Sequence, residues 1–138
     1  MALVLSKKLV ITIAASVVVI VLVIVGYIQF SKSDQARTRD LARLSDMRFI
    51  QAEFELIFNN ENTFENIATE GCVEGQMLYQ CTLFEYIPGI YEIKDPSGFS
   101  YKVTQTPTAD NYEITFTLEG KAGNLLPGEH TLSRVGIE

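Results

Sequence analysis

Tryptophan is missing from the 138 residues, and His130 is the only histidine. A lone imidazole cannot build a His-based metal cluster, and no Cys or Ser has a second candidate base nearby in sequence. No glycine-rich loop is present to cradle a phosphate, because Gly120, Gly123 and Gly128 are spaced as hairpin punctuation. With no catalytic constellation in view, the chain reads as a non-enzyme. Basic side chains are scarce in the C-terminal part, where residues 49–138 hold four against fourteen acidic ones, net −10. That balance excludes the basic footprint that nucleic-acid phosphates require. Neither proline nor glycine occurs from Phe30 to Glu70, so nothing breaks a helix there. Internal repeats and low-complexity tracts are also absent.

Charge is absent from residues 9–28, where fourteen of twenty residues are Leu, Ile or Val. Twenty residues at helical rise span about 30 Å, the hydrocarbon thickness of a bilayer. Each such residue favours insertion by roughly 0.3–0.6 kcal/mol at the bilayer centre, so the run favours insertion by several kcal/mol in total. A cleaved secretory signal has a shorter apolar core that ends in a small-x-small site. Here Ala14-Ala15-Ser16 lies mid-run and the exit through Gly26, Tyr27 and Ile28 offers no such site. The run is therefore expected to be an uncleaved signal-anchor, and the membrane its first partner.

Orientation draws two opposed signals. Lys7 and Lys8 flank one end, while Lys32, Arg37, Arg39, Arg43 and Arg48 follow the other, a count that puts the C-terminal part inside. Cys72 and Cys81 are the only cysteines. A disulfide between them would clip a local loop in an oxidising compartment, whereas unpaired thiols would suit a reducing one.

Beyond the run, Leu41, Leu44, Met47, Ile50, Phe54, Ile57 and Phe58 recur at spacings of three and four, the stripe of an amphipathic helix. Arg39, Asp40, Arg43, Asp46, Arg48, Glu53 and Glu55 are expected on its solvated faces, and the helix to end near Asn59-Asn60. Residues 61–98 read as irregular, with the cysteine pair inside and a short extended piece over residues 83–87. Asp95-Pro96-Ser97-Gly98 is a strong turn signal. The period then changes to two: Phe99, Tyr101 and Val103 alternate with polar residues, as do Tyr112, Ile114, Phe116 and Leu118. A third strand is expected over about residues 130–135, with His130 at a surface or edge position. The apolar face of such a sheet needs a cover, which the stripe supplies.

The predicted fold is α+β: a long N-terminal helix, transmembrane and then amphipathic, packed on a small antiparallel β-sheet. Its divisions are a short cytoplasmic N-terminus (1–8), a transmembrane helix (9–30), an amphipathic stalk (31–60), the irregular segment (61–98) and the sheet (99–138).

Arg39-Asp40-Leu41-Ala42-Arg43-Leu44-Ser45-Asp46-Met47-Arg48-Phe49-Ile50-Gln51 resembles the stalk helix of the type IV pilin family, with most similarity to the major pseudopilins of type II secretion. Asp95-Pro96-Ser97-Gly98-Phe99-Ser100-Tyr101 is similar to that family's Asp-Pro-x-Gly-x-x-Tyr turn before the first strand. The resemblance covers about 100 residues and omits the middle segment. It implies a pilin-like fold, a cytoplasmic N-terminus and an extracytoplasmic domain. It also implies association with similar subunits or with a type IV pilus or secretion-like assembly. Leu44, Met47, Ile50 and Phe54 are then the helix-packing residues, and Ala14, Ala15, Ser16 and Gly26 allow close helix approach. The sequence departs from the family in two places: no Gly precedes the apolar run, and no Glu lies within it. Prepilin-type cleavage is therefore not expected. Members of the family often bind calcium after the turn, where Asp110, Asn111, Asn124 and Glu129 are candidate oxygen donors at a spacing that matches no loop motif. The alternative to a filament subunit is a stand-alone single-pass protein whose acidic domain binds a ligand or envelope partner.

Overall fold

With no proline and one glycine, Gly26, along its length, the chain forms one helix, α1 (Lys7–Glu61), through the apolar run and the stripe together. The computed structural model describes residues 7–138, with side chains from Thr12 onward. The expected N-terminal segment 1–8 thus lies outside the described residues, apart from the backbone of Lys7 and Lys8. Two compact units divide at Gln35/Ala36.

In the first unit every described side chain from Thr12 to Phe30 is exposed. An 18-residue stretch of α1 reaches a mean hydropathy of 2.6 with none of it buried, so one helix is long and apolar enough to cross a membrane. The Ser16 hydroxyl donates to the Thr12 carbonyl at 2.9 Å, which satisfies it within the helix.

The second unit is built on the rest of α1. Met47, Ile50, Phe54 and Ile57 are buried, and the helix closes beyond Glu61 where Asn62 takes φ 58° and its N–H reaches the Phe58 carbonyl at 2.7 Å. The helix thus ends one residue past the Asn59-Asn60 pair near which its end was expected. A short helix, α2 (Glu65–Thr69), and three 3₁₀ turns, Leu78–Gln80, Leu83–Glu85 and Ile90–Glu92, occupy the segment expected to be irregular. The extended piece expected at residues 83–87 is therefore a 3₁₀ turn. Leu83 and Ile87 are buried while Phe84 and Glu85 are exposed, a helical spacing of four rather than an alternation of two.

Four strands follow: β1 (Lys102–Gln105), β2 (Glu113–Leu118), β3 (Gly128–Ser133) and β4 (Gly136–Ile137). They form one antiparallel meander in the order β1-β2-β3-β4. In β2, Ile114, Phe116 and Leu118 are buried and the residues between them are half-buried. Ile114 pairs with Leu132 and Phe116 with His130. The fold is thus α+β, a long helix packed on a small four-stranded antiparallel sheet. An aromatic group ties the two layers, with Tyr112 edge-on to Phe54 at 4.8 Å and to Phe64 at 5.0 Å.

Three strand expectations change. The first strand starts at Lys102 rather than Phe99, because the Asp95 carboxylate still holds the Phe99 N–H at 3.2 Å and keeps that residue in the turn. The third begins at Gly128 and stops before Val135, which stands 83% exposed in the turn to β4, a strand the sequence pattern did not suggest. His130 lies on β3, half-buried, outside the two residues that pair with β4.

The outer side of β1 is also occupied. The Gly75 and Val103 N–H groups reach the Val103 and Gln76 carbonyls, each at 2.9 Å, and Leu78 donates to Tyr101 at 2.9 Å. A ten-residue clip shapes this segment: Cys72 and Cys81 are joined in a disulfide, both buried, with Cα atoms 4.9 Å apart. Beside it, the Thr82 N–H and hydroxyl both donate to the Glu70 carbonyl, at 2.8 and 2.6 Å.

Candidate functional site

The stripe that buries Ile57, Phe54, Ile50 and Met47 steps back by four and then three residues onto Arg43 and Asp40. Both are buried, at 0% and 1% exposure. Leu41, expected on this face, is 57% exposed. The solvated placement expected for Arg43 and Asp40 is therefore corrected: register on the helix, not polarity, decides what faces the sheet, and each charge is buried with partners.

Arg43 spends all five of its guanidinium N–H donors. Nε and Nη2 grip the Asp95 carboxylate at 2.6 and 3.0 Å, and Nη2 also donates to the Ser97 hydroxyl at 2.6 Å. Nη1 reaches Asp40 at 2.6 Å and Glu119 at 2.8 Å. The planar fork matches this arrangement, where a lysine would bring only three donors from one point. The Phe99 ring lies 5.3 Å from the guanidinium carbon.

Each carboxylate is also held by its own surroundings. Asp40 accepts the backbone N–H groups of Glu119 at 2.9 Å and Gly120 at 2.7 Å. Asp95 accepts the Ser97 N–H at 2.8 Å, which fixes the Asp95-Pro96-Ser97-Gly98 turn, and Gly98 follows with φ 87°. Arg39 donates to Glu119 at 2.7 Å. One helix face thereby clamps two distant points, the turn at residues 95–98 and the start of the loop after β2.

The electrostatics follow from these contacts. Hydrogen bonding from Arg39 lowers the Glu119 carboxyl to about 2; burial opposes the shift and Arg43 reinforces it. Burial pushes the Asp95 carboxyl up, but hydrogen bonds from Arg43 and Ser97 outweigh it and the net shift is downward. Burial likewise works against charge on Arg43, and its bonds to Asp95, Glu119 and Asp40 more than restore it, so the guanidinium is held protonated. One turn further along α1, Asp46 accepts the hydroxyl of the buried Tyr101 at 2.8 Å. Burial raises the Asp46 carboxyl, and the Tyr101 bond partly offsets it.

Of the residues singled out in the sequence, Met47, Ile50 and Phe54 lie in the core with Leu44 half-buried at its margin. Asp95, Gly98 and Tyr101 form the turn that Arg43 and Asp46 hold, and Pro96 shapes it. Cys72 and Cys81 lie apart, in the clip. The four candidate calcium donors do not converge. Asp110 and Asn111 precede β2, whereas Glu129 pairs with Thr117 near its far end, four strand residues or roughly 13 Å beyond Glu113, and Asn124 lies in the loop that follows. Among the described residues no group of three or more His, Cys, Asp or Glu is placed to hold a metal ion. Glu55, expected to be solvated, is half-buried 3.7 Å from Arg134, whose guanidinium lies over Phe58 at 3.9 Å.

A groove of about 630 Å³ opens beside the clamp. Leu41, Leu44, Ser45 and Arg48 line its helix side, and Ala122, Gly123, Asn124, Leu125 and Ile137 line its sheet side. Sequence reasoning missed both the clamp and this groove. The clamp's signal was present, since Asp40 and Arg43 continue the buried stripe in phase; the groove's was not, because it depends on the path of the loop after β2.

No family model, no curated protein and no solved structure matches the chain.

Proposed function

We propose that this chain is a membrane-anchored, pilin-like structural subunit that works by association rather than catalysis. The observation that carries this reading is a single helix that is apolar for its first part and then seats a small sheet through a buried stripe. Such a helix suits a subunit whose anchors pack together in lipid while its domains project from the bilayer. Ala14, Ala15, Ser16 and Gly26 supply the small side chains that close helix approach needs. In this reading the domain lies on the extracytoplasmic side. The buried Cys72–Cys81 disulfide supports that side, because disulfides persist in oxidising compartments. The basic residues after the run point the other way, but long domains translocate largely regardless of charge.

Cysteine-accessibility mapping tests the topology: a cysteine placed at exposed Val135 is labelled by an impermeant maleimide on intact cells if the domain is outside. Labelling only after lysis overturns the orientation. For association, membrane-embedded crosslinking from a cysteine at Ser16 is expected to give dimers and larger ladders with itself or with pilin-like partners. A monomer at every crosslinker length overturns the subunit reading. Mass spectrometry of the N-terminus in cells carrying a prepilin peptidase decides processing, with an intact Met1 peptide expected.

The groove favours a second reading, a stand-alone single-pass protein whose acidic domain receives an envelope partner. Absence of crosslinked ladders together with stable capture of one partner would select it.

A further inference from the structure

His130 sits on β3 opposite Phe116, with the two rings 5.8 Å apart. Its Nδ1 lies 3.1 Å from the main-chain oxygen of Glu138, and its Nε2 lies 2.7 Å from the main-chain oxygen of Leu126. Both oxygens can only accept. A neutral imidazole carries one N–H, so it satisfies one oxygen and turns a lone pair on the other; the imidazolium has two donors and satisfies both. Leu126 belongs to the loop that leads into β3, and Glu138 follows β4, exchanging backbone hydrogen bonds with Thr131 at 3.0 and 2.9 Å. The sheet-side wall of the groove includes Leu125 and Ile137, the immediate neighbours of those two anchor points.

We propose that His130 is a protonation-dependent latch for the sheet-side wall of the groove. As the imidazolium it ties the loop and the end of β4 to β3. As the neutral ring it keeps one tie and releases the other. The charged groups on the surrounding elements are Glu129 beside it on β3, Arg134 in the turn from β3 to β4, Glu138 after β4, Lys121 in the loop, Arg48 on the helix side of the groove, and Glu113 and Glu119 at and just beyond the ends of β2. Glu119 is already engaged by Arg39 and Arg43. The latch is closed when both ring nitrogens carry protons and open when only one does.

The test uses the full-length chain in nanodiscs, labelled with ¹⁵N. A single histidine makes the ring signals unambiguous. The ring nitrogens are followed from about pH 5 to about pH 8, together with hydrogen-exchange protection of the Leu125 and Glu138 amides, corrected for intrinsic rates. At the acid end both nitrogens are expected to be protonated and hydrogen-bonded. As the ring loses its proton, protection of at least one amide should fall roughly tenfold, the equivalent of one hydrogen bond to a charged donor. His130→Gln, which donates but does not titrate, should remove that pH dependence. Should neither amide lose protection while the wild-type ring titrates, the latch is refuted, whether or not the variant folds.

Discussion

Replacing Arg43 with methionine removes five donors from a site where three carboxylates remain. The side chain is fully buried, and its partners Asp40 and Asp95 are buried as well. Removing one member of a buried ion pair costs about 3–5 kcal/mol, because the charge left behind is uncompensated. For a domain of this size each kcal/mol moves the melting midpoint by roughly 4–8 °C, so Arg43→Met should lower it by on the order of 12 °C or more. Near-ultraviolet circular dichroism of the full-length chain in micelles is the suitable assay. It reads the packing of buried Tyr101 and Tyr112 and ignores the helical signal that lipid would preserve. The origin of the loss is tested by acid. Stranded carboxylates take up protons more readily than paired ones, so the gap between wild type and variant should narrow between pH 7 and about pH 3. A cavity or packing defect would not titrate. A midpoint shift under about 4 °C, or a gap that stays constant across that range, refutes the reasoning. Arg43→Lys keeps the charge with three donors instead of five and should fall between the two.

Acid should also unfold the domain in a particular window. Glu119 is held near 2 against an ordinary value of 4.5, so its contribution is complete above about pH 4.5 and is lost as pH falls toward 2; Asp95, also lowered, adds in the same direction. An acid melt in which stability is flat from pH 5 to 2 would contradict this. Reducing the Cys72–Cys81 bond should cost about 2.5 kcal/mol by loop-closure entropy, seen as a lower urea midpoint with a thiol reductant. An unchanged midpoint would show that the clip contributes nothing. Val21→Arg, in the middle of the apolar run, should raise the insertion cost by roughly 2.5–3.5 kcal/mol and increase the fraction released by alkaline carbonate. Equal retention of both proteins would argue against a span at this position.

The broad architecture could be read from the residues because two periodicities carry it. Met47, Ile50, Phe54 and Ile57 repeat at three and four, Ile114, Phe116 and Leu118 at two, and the structure uses both as the two sides of one core. What hydropathy misassigned was the stretch of helix where charge takes the buried positions. Leu41 is more apolar than Asp40, yet it is Asp40 that lies in phase with Met47, and the backbone N–H groups of Glu119 and Gly120 wait for a carboxylate there. Those partners lie some 80 positions away in the chain, so no local pattern could announce them. The same holds for His130, whose two acceptors come from a loop and from the residue after β4. The short turns between residues 78 and 92 escaped for a different reason. Each is a single turn anchored by one buried side chain, Leu78, Leu83 or Ile90, too brief to establish a period.

The sheet's two margins limit how copies of this molecule can meet. Along one, residues 75–78 already engage the Val103 N–H and the Val103 and Tyr101 carbonyls; along the other, β4 offers only two residues. A neighbouring chain thus finds no long ladder onto which it could add a strand, and the runaway stacking that bare margins invite is closed off. In the association proposed above, contact between copies falls to side chains, where geometry and charge can discriminate among neighbours in a way that main-chain pairing does not.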